Sequence, residues 1–493
     1  MTAGQLPDWL GRRAVTHACQ PALLTGSVRW TFAELDSRVS EAAQRLAAQG
    51  VVAGDRVALL ARNGPAFVVV THALGRLGAV LVPLNVRLTP SELAWQLSDV
   101  KASLLLHDDV YADLAIAVIA QVPDLRTVTI GPEGPIDPTA NTVPLRDRIT
   151  LDAIQGIVYT SGTTGRPKGA LLTYGNHWWS ATGSALHLGH YLDDRWLAVL
   201  PLFHVGGLAI LFRSVIAGVP IVLHETFDPV RANRAIDEDG ITLLSVVANV
   251  LQRMLETRGD DSYPATLRCV LLGGGPAPRS LLDACLRRGL PVAPSYGMTE
   301  ASSQIATLLP EEVPRHFGAA GRPLPSTEVR IERDGKPVPA GEIGEIVVRG
   351  PTITPGYVGR EAKGNEVGPD GWLRTGDLGR LDDEGYLFVL DRRDDLIISG
   401  GENVFPAEIE GVLLTHPGVA EAAVIGVPDA RWGAVPVAFV RRKVGWATTE
   451  DELLALCATR LAGFKRPQRI TWIDALPRNA SGKLLRRELR TNA

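Results

Sequence analysis

Tyr159-Thr160-Ser161-Gly162-Thr163-Thr164-Gly165-Arg166-Pro167-Lys168-Gly169 is the stretch on which the reading of this chain turns. An apolar run, Ile154 to Tyr159, enters it as a strand would, and an amphipathic helix pattern follows from about Gly175 to Leu188. Gly162, Gly165 and Gly169 let the backbone turn and bring its N–H groups close to an anion. Ser161, Thr163 and Thr164 add hydroxyl donors, and Lys168 adds a cation. This chemistry grips phosphate. It is not the common nucleoside-triphosphate loop, G-x-x-x-x-G-K-[ST]. Counted from Gly162, Pro167 stands where the second glycine should, and Lys168 is followed by Gly169. A plain Gly/Thr surface loop would carry similar residues, so the rest of the chain must discriminate.

A chain of 493 residues exceeds one ordinary domain and predicts at least two. Hydrophobic residues make up 45% and charged residues 21%, the balance of a soluble globular protein. The net charge of −4 gives no electrostatic footprint for nucleic acid. The most apolar region, Val57 to Leu84, is interrupted by Arg62, Asn63, Pro65, His72 and Arg76, so no membrane span is expected. Met1-Thr2-Ala3-Gly4-Gln5-Leu6-Pro7 lacks the features of a signal peptide. Cys19, Cys269, Cys285 and Cys457 are scattered, which argues against a zinc site or a disulfide framework. A cytoplasmic enzyme is the expectation.

Helix and strand signals alternate along the first part of the chain. Thr31 and Glu34 form a capping box before the periodic run Leu35, Val39, Ala42, Leu46, with Gly50 placed to end the helix. Arg56–Leu60, Ala79–Leu84 and Ser103–His107 read as strands, and Thr89-Pro90-Ser91-Glu92 opens another helix. This alternation predicts α/β architecture with largely parallel sheets. Residues 130–146 read as a loop, and a further αβ series runs from Trp196 to about Leu308. Beyond Gly318 the runs Val329–Glu332, Gly344–Arg349 and Gly385–Leu390 suggest a small antiparallel sheet or distorted barrel. Asp391-Arg392-Arg393-Asp394-Asp395 begins a charged, exposed-looking stretch, and two αβ-like units follow it. The expected organisation is a large N-terminal domain, 1–391, of αβ subdomains plus a small β-rich subdomain. A hinge at 392–395 and a small mobile α+β C-terminal domain, 396–493, complete it.

Seven motifs in order and spacing identify the chain as similar to the adenylate-forming superfamily of acyl-CoA synthetases, luciferases and peptide-synthetase adenylation domains. They are the phosphate loop, Pro201-Leu202-Phe203-His204, Gly273-Gly274-Gly275-Pro276, Ser295-Tyr296-Gly297-Met298-Thr299-Glu300, Thr375-Gly376-Asp377, Asp391–Asp395, and Pro477-Arg478-Asn479-Ala480-Ser481-Gly482-Lys483. The resemblance covers essentially the whole chain. Gly175-Asn176-His177, Leu200–Gly206, Leu271–Pro278, Leu396–Pro406 and Pro477–Leu485 resemble the o-succinylbenzoate–CoA ligases of menaquinone biosynthesis in particular.

The resemblance implies ATP, Mg²⁺ and coenzyme A as co-substrates and cofactor, and a reaction in two steps through an acyl-adenylate. It places Thr160, Ser161, Gly162, Thr163, Thr164, Gly165 and Lys168 on the phosphates, with Thr160 and Glu300 associated with Mg²⁺. Thr299 is matched to the α-phosphate, and Asp377 and Arg392 to the ribose. Gly274, Gly275, Pro276, Ser295, Tyr296 and Gly297 are matched to the nucleotide pocket. By the same resemblance Lys483 matches the family's catalytic lysine, which bridges the acid and the α-phosphate in the first step only. Asp394 matches the hinge, about which the C-terminal domain turns to bring Gly400 and Gly401 beside the pantetheine tunnel. Taken singly, Glu300 could be a helix-start carboxylate, Asp377 a turn residue and Lys483 a solvated charge; the shared motifs favour the functional roles.

For the acid, the resemblance points to Phe203-His204-Val205-Gly206-Gly207 and to Gly273. His204 is a candidate to stack on or donate to the reacting carboxylate, against a structural histidine. o-Succinylbenzoate carries a second carboxylate, which needs a partner if buried. Arg213 is the candidate, with Ser303 as a neutral donor, against a surface charge on an amphipathic helix. Trp178 and Trp179 read as core or pocket-wall aromatics. Another acyl- or aryl-CoA ligase, or a stand-alone carrier-protein-loading adenylation enzyme, would use the same machinery. A non-catalytic homologue would be expected to lack Lys483 or Glu300, and both are present. The sequence leaves the oligomeric state open, a homodimer being one option.

Overall fold

Arg56–Leu60 is buried from its second residue on, and such a strand needs cover on both faces. It sits inside a seven-stranded sheet ordered Lys168–Thr173, Ile154–Thr160, Val80–Pro83, Arg56–Leu60, Leu104–Asp108, Arg126–Gly131 and Gly134–Pro135. The inner pairs are parallel and the two outermost pairs antiparallel. Helices are set by the expected local signals. Thr31 caps Phe32–Ala48 and Thr89 caps Pro90–Asp99, each in a full capping box. Gly50 follows the first of these helices at φ 79°.

This computed structural model describes residues 4–135, 142–160, 167–275, 277–359, 367–392, 395–399, 402–429, 432–478 and 484–490. A second sheet has nine strands, running from Arg322–Pro323 through Ser303–Thr307, Val292–Met298, Cys269–Leu272, Leu243–Val246, Trp196–Ala198, Ile221–Leu223 and Pro21–Leu24 to Arg29–Thr31. It is parallel from Val292–Met298 to Pro21–Leu24. One apolar cluster, with Phe32, Phe67, Leu81, Leu208 and Leu223 among its members, packs residues of both sheets and their helices together. The expected small β-rich unit is a five-stranded antiparallel sheet, with Glu328–Arg333, Gly344–Arg349, Leu373–Leu381 and Leu387–Arg392 as its longer strands. The last part of the chain packs its own two apolar clusters, around Val404, Leu413, Val440 and Leu453, and around Ile425, Phe439 and Leu489. No helix among the described residues is long and apolar enough to cross a membrane.

Four local expectations need correction. The phosphate loop does not lead straight to a helix: Lys168–Thr173 returns antiparallel to Ile154–Thr160 before the helix Tyr174–Leu188 begins, so the loop joins two paired strands. The C-terminal part is built on a long antiparallel pair, Val419–Asp429 with Gly433–Arg442, and has one parallel addition, Ile470–Trp472, rather than two equivalent αβ units. Asp391 is buried, not exposed, and accepts the Ala407 N–H at 3.1 Å. Trp178 packs against the core and stacks on Trp9, but Trp179 is exposed.

Candidate active site

Several of the predicted residues that the structure describes lie on or beside the antiparallel pair Val292–Met298 and Ser303–Thr307 and the turn between them. Gly297 makes this pairing feasible: a Cβ there would lie 1.7 Å from the Ser303 carbonyl oxygen. Ser302 and Ser303 take up left-handed backbone at φ 52° and 104°. Non-glycine residues adopt such values at a cost, and they gather at functional sites.

Glu300 is buried and faces the end of the phosphate-loop strand. Thr160 Oγ1 donates to its Oε1 at 3.3 Å, and the Tyr357 hydroxyl donates to the same oxygen at 2.8 Å. Among the described residues Glu300 forms no ion pair. Lys168 Nζ lies 5.3 Å from the centre of the Tyr357 ring, so the loop's cation and the carboxylate share one aromatic neighbour. Thr299 precedes Glu300 in the same short turn. On the other side of the hairpin, the Tyr296 hydroxyl donates to Asp377 Oδ2 at 2.6 Å. Asp377 is buried and stands opposite Arg392 in the strand ladder. Gly273, Gly274 and Gly275 leave the buried strand Cys269–Leu272, whose neighbour in the sheet carries Ser295 and Tyr296. The Ser295 hydroxyl is engaged within the sheet, bonded to the Ala306 carbonyl and to Thr307 Oγ1.

Arg213 is not on a surface. Its helix, Val205–Ala217, is buried along most of its length, and Arg213 is only 4% exposed. Nη2 donates to Ser303 Oγ at 3.3 Å and to Gln304 Oε1 at 2.9 Å, and the guanidinium lies 5.3 Å from the Trp196 ring centre. Its Nε has no hydrogen-bond partner among the described residues. No carboxylate among the described residues lies within ion-pair distance, and burial pulls the group down to about 10. His204 stands at the N-cap position of the same helix, without a side-chain capping bond. Its buried Nε2 has no partner among the described residues, and burial, helped by the charge of Arg87, pulls the imidazole down to about 4. His177 is fully buried, bonded to Gln155 and stacked 4.0 Å from Phe212; burial and then Arg213 pull it down to about 3.

Ser161, Gly162, Thr163, Thr164, Gly165, Pro276, Asp394, Gly400, Gly401 and Lys483 lie outside the described residues, as does the side chain of Arg392. Sequence reasoning missed Tyr357, Gln304 and Gln155. Each is tied to the site by a contact between residues far apart in the chain, and only Tyr357, after Pro355-Gly356, lies at a turn signal.

Residues 10–358 match the family model "AMP-binding enzyme", and residues 408–483 match "AMP-binding enzyme C-terminal domain". A 2-succinylbenzoate–CoA ligase from Geobacillus kaustophilus is 51% identical over 485 residues, spanning 98% of this chain and 97% of the relative. The o-succinylbenzoate CoA synthetase of Bacillus subtilis, solved with the acyl-adenylate intermediate OSB-AMP, superposes with a TM-score of 0.93 at 43% identity, covering 99% of this chain and 98% of that one. A double mutant of that protein bound to its product analogue OSB-NCoA gives 0.77 at the same 43%, with 99% of each chain covered.

Proposed function

This chain belongs to the AMP-binding enzyme family, and on that premise we propose that it joins o-succinylbenzoate to coenzyme A in menaquinone (vitamin K2) synthesis as an AMP-forming acid–thiol ligase. In the first step a carboxylate oxygen attacks the α-phosphorus of ATP, the bond from that phosphorus to the bridging oxygen breaks, and pyrophosphate leaves. In the second step the coenzyme A sulfur attacks the acyl carbon, AMP departs with the bonding pair, and the thiol proton passes to solvent. No dedicated base is assigned, because a thiol is already partly ionised near neutral pH.

Thr160 and Glu300 are the residues that would hold Mg²⁺. Their fit is supported by two adjacent hard oxygen donors, a buried carboxylate with hydroxyl partners only, and no cluster of three or more His, Cys, Asp or Glu among the described residues. Such a sparse protein donor set suits a cation whose shell is completed by phosphate and water. Bound Mg²⁺ would neutralise phosphate charge as pyrophosphate departs. Ser161–Gly165 and Lys168 cradle the β- and γ-phosphates, and Thr299 hydrogen-bonds the α-phosphate. Asp377 accepts the ribose hydroxyls, held in place by Tyr296 and flanked by Arg392. Gly274, Gly275, Pro276, Ser295, Gly297 and the Tyr296 ring border the adenine, Ser295 through its backbone. Lys483 arrives from the C-terminal domain to bridge the acid and the α-phosphate.

The domain split at 392–395 and the pivot at Asp394 belong to the same proposal, with Gly400 and Gly401 entering for the second step. Two scores against the Bacillus subtilis protein, 0.93 with the adenylate and 0.77 with the product analogue, support a rearrangement between steps. The enzyme acts in the cytoplasm.

Arg213 carries the choice of acid. A guanidinium buried with two neutral acceptors and, among the described residues, no carboxylate is a cation awaiting a counter-ion, and the second carboxylate of o-succinylbenzoate supplies one. His204 and Gly273 border the reacting end. The test is pyrophosphate release from a panel of acids, with and without coenzyme A. o-Succinylbenzoate should outpace benzoate and medium-chain acids; parity among them would return the substrate to another acyl or aryl acid.

A further inference from the structure

Asn63 stands at the seam between the two large sheets. It follows the strand Arg56–Leu60 and precedes the helix Pro65–Leu77, yet its side chain bonds the backbone of residues 200 and 202. Its Oδ1 accepts the Leu202 N–H at 2.9 Å. Its Nδ2 donates to the Leu200 carbonyl at 2.9 Å and, more weakly, to the His224 carbonyl at 3.5 Å. Only this orientation of the amide serves: the flipped one would face N–H with NH₂ and carbonyl with carbonyl. The side chain is buried, so water competes poorly for these bonds.

Gly207 supports the same turn from the opposite side. A Cβ there would lie 2.3 Å from the Pro201 carbonyl oxygen and 3.0 Å from that of Leu200, so any larger residue would push the turn away. The turn then closes on itself. His204 N–H donates to Pro201 at 3.2 Å, and the Gly207 and Leu208 N–H groups donate to the His204 carbonyl at 3.0 and 2.9 Å. His204 is left at the head of the helix that carries Arg213, its ring 4.6 Å from that of Phe203 and its Nε2 shut away from water.

We infer that Asn63 is a positioning residue: by splinting Leu200-Pro201-Leu202 it fixes the His204 ring at the acid-binding end of helix Val205–Ala217. The inference rests on the reading of that helix as the wall of the acid site. Asn63 itself touches no reacting atom. Misplacing a group that borders the reacting atoms by about 1 Å can cost on the order of a hundredfold in rate, whereas the nucleotide side of the site, built on Thr160, Glu300 and Asp377, shares no bond with Asn63.

The experiment compares Asn63→Ala with the wild-type chain in two readouts. With o-succinylbenzoate, kcat/KM should fall on the order of tenfold or more while the KM for ATP stays within about twofold, as expected from losing two buried hydrogen bonds at one end of the site. In the histidine spectrum of the full chain, with His204 assigned by His204→Gln, the wild-type ring should remain neutral down to about pH 5. In Asn63→Ala it should titrate near the ordinary value of about 6.5 as water reaches it. Asn63→Asp retains the acceptor for Leu202 but turns an oxygen toward two carbonyls, so it should do no better than alanine. Equal rises in both KM values, an unchanged His204 titration, or full rescue by Asn63→Asp would overturn the inference. Should Asn63→Ala fail to fold, Gly207→Ala displaces the same turn. The wild-type spectrum is decisive by itself, since an ordinary His204 titration there means the turn is not closed over the ring. A wild-type chain that ignores o-succinylbenzoate would sink the substrate assignment and leave the histidine readout standing.

Discussion

Arg213→Met separates the two uses a buried cation can have. Burial takes the guanidinium from 12.5 to about 10, which corresponds to roughly 3 kcal/mol of hydration lost and not recovered within the protein. Methionine fills much the same space without that cost, but deprives Ser303 Oγ and Gln304 Oε1 of a donor, at about 1–3 kcal/mol. The two effects nearly cancel, so folding stability should change by less than about 2 kcal/mol in either direction. Activity should not be spared. The ring carboxylate of o-succinylbenzoate would be buried unpaired, and leaving a buried charge without its partner costs about 3–5 kcal/mol, or a factor of about 10² to 10⁴ in kcat/KM. Benzoylpropionate, which lacks the ring carboxylate, should lose less than about tenfold. The assay is pyrophosphate release with both acids beside urea unfolding of both proteins. Equal losses for the two acids, or a variant destabilised well beyond 2 kcal/mol (the figure worked above from hydration and hydrogen bonding), would return Arg213 to a structural role.

Lys483→Ala should abolish pyrophosphate release yet leave thioester formation from supplied acyl-adenylate near wild type; equal loss of both half-reactions would refute the one-step role of Lys483. Glu300→Gln keeps an acceptor for Thr160 and Tyr357 but removes the charge, so the Mg²⁺ concentration for half-maximal adenylation should rise about tenfold or more, and an unaltered Mg²⁺ dependence would count against it. His177 is fully buried and His72 partly buried, and desolvation chiefly holds them down, to about 3 and about 4 respectively. The unfolded chain protonates these rings first, so their contribution is complete above the unfolded value of about 6.5 and is lost as pH falls toward the folded values. At about pH 5 each should cost about 2 kcal/mol, visible as a lower urea midpoint than at neutral pH; equal midpoints would show that the rings are hydrated.

Much of this fold was legible because its signals are local. The capping boxes at Thr31 and Thr89 and the buried run Arg56–Leu60 each act over a few residues, and each is found where the pattern placed it. The strand Lys168–Thr173 was not legible. Its six residues offer only weak alternation, and its pairing partner lies across the loop, so the stronger helix pattern beyond it dominated. Asp391 misled for a related reason: in a run of charges it reads as solvated, but the Ala407 N–H, sixteen positions away, takes it into the interior. At the site, motif residues such as Glu300 and Asp377 were legible by resemblance. Their partners Tyr357 and Tyr296 are fixed by contacts spanning 57 and 81 positions, which no window of sequence contains. Arg213 was ambiguous until burial was known, because a helix buried nearly all round leaves no polar face by which to judge which side an arginine takes.

The site keeps two buried charges that the described protein does not neutralise, and they are of opposite sign. Glu300 is met by the hydroxyls of Thr160 and Tyr357, and Arg213 by the neutral oxygens of Ser303 and Gln304. They are linked through the strained turn, since Ser303 and Gln304 lie three and four residues after Glu300, yet they do not pair with each other. Had they paired, the site would be electrically complete and a ligand would have to break an ion pair to enter. Held apart, in the roles proposed for them each contributes most when its own counter-charge arrives: a cation carried with the phosphates for Glu300, a carboxylate carried on the acid for Arg213. Ser302 and Ser303, in left-handed backbone at φ 52° and 104°, stand between Glu300 and Gln304 in the chain, at a local cost of order 1–3 kcal/mol per strained residue. Selectivity follows from the same separation. If Arg213 takes the ring carboxylate as proposed, a monocarboxylate leaves Arg213 as it was, and discrimination rests on the charge left unmet rather than on a tighter fit around the ring.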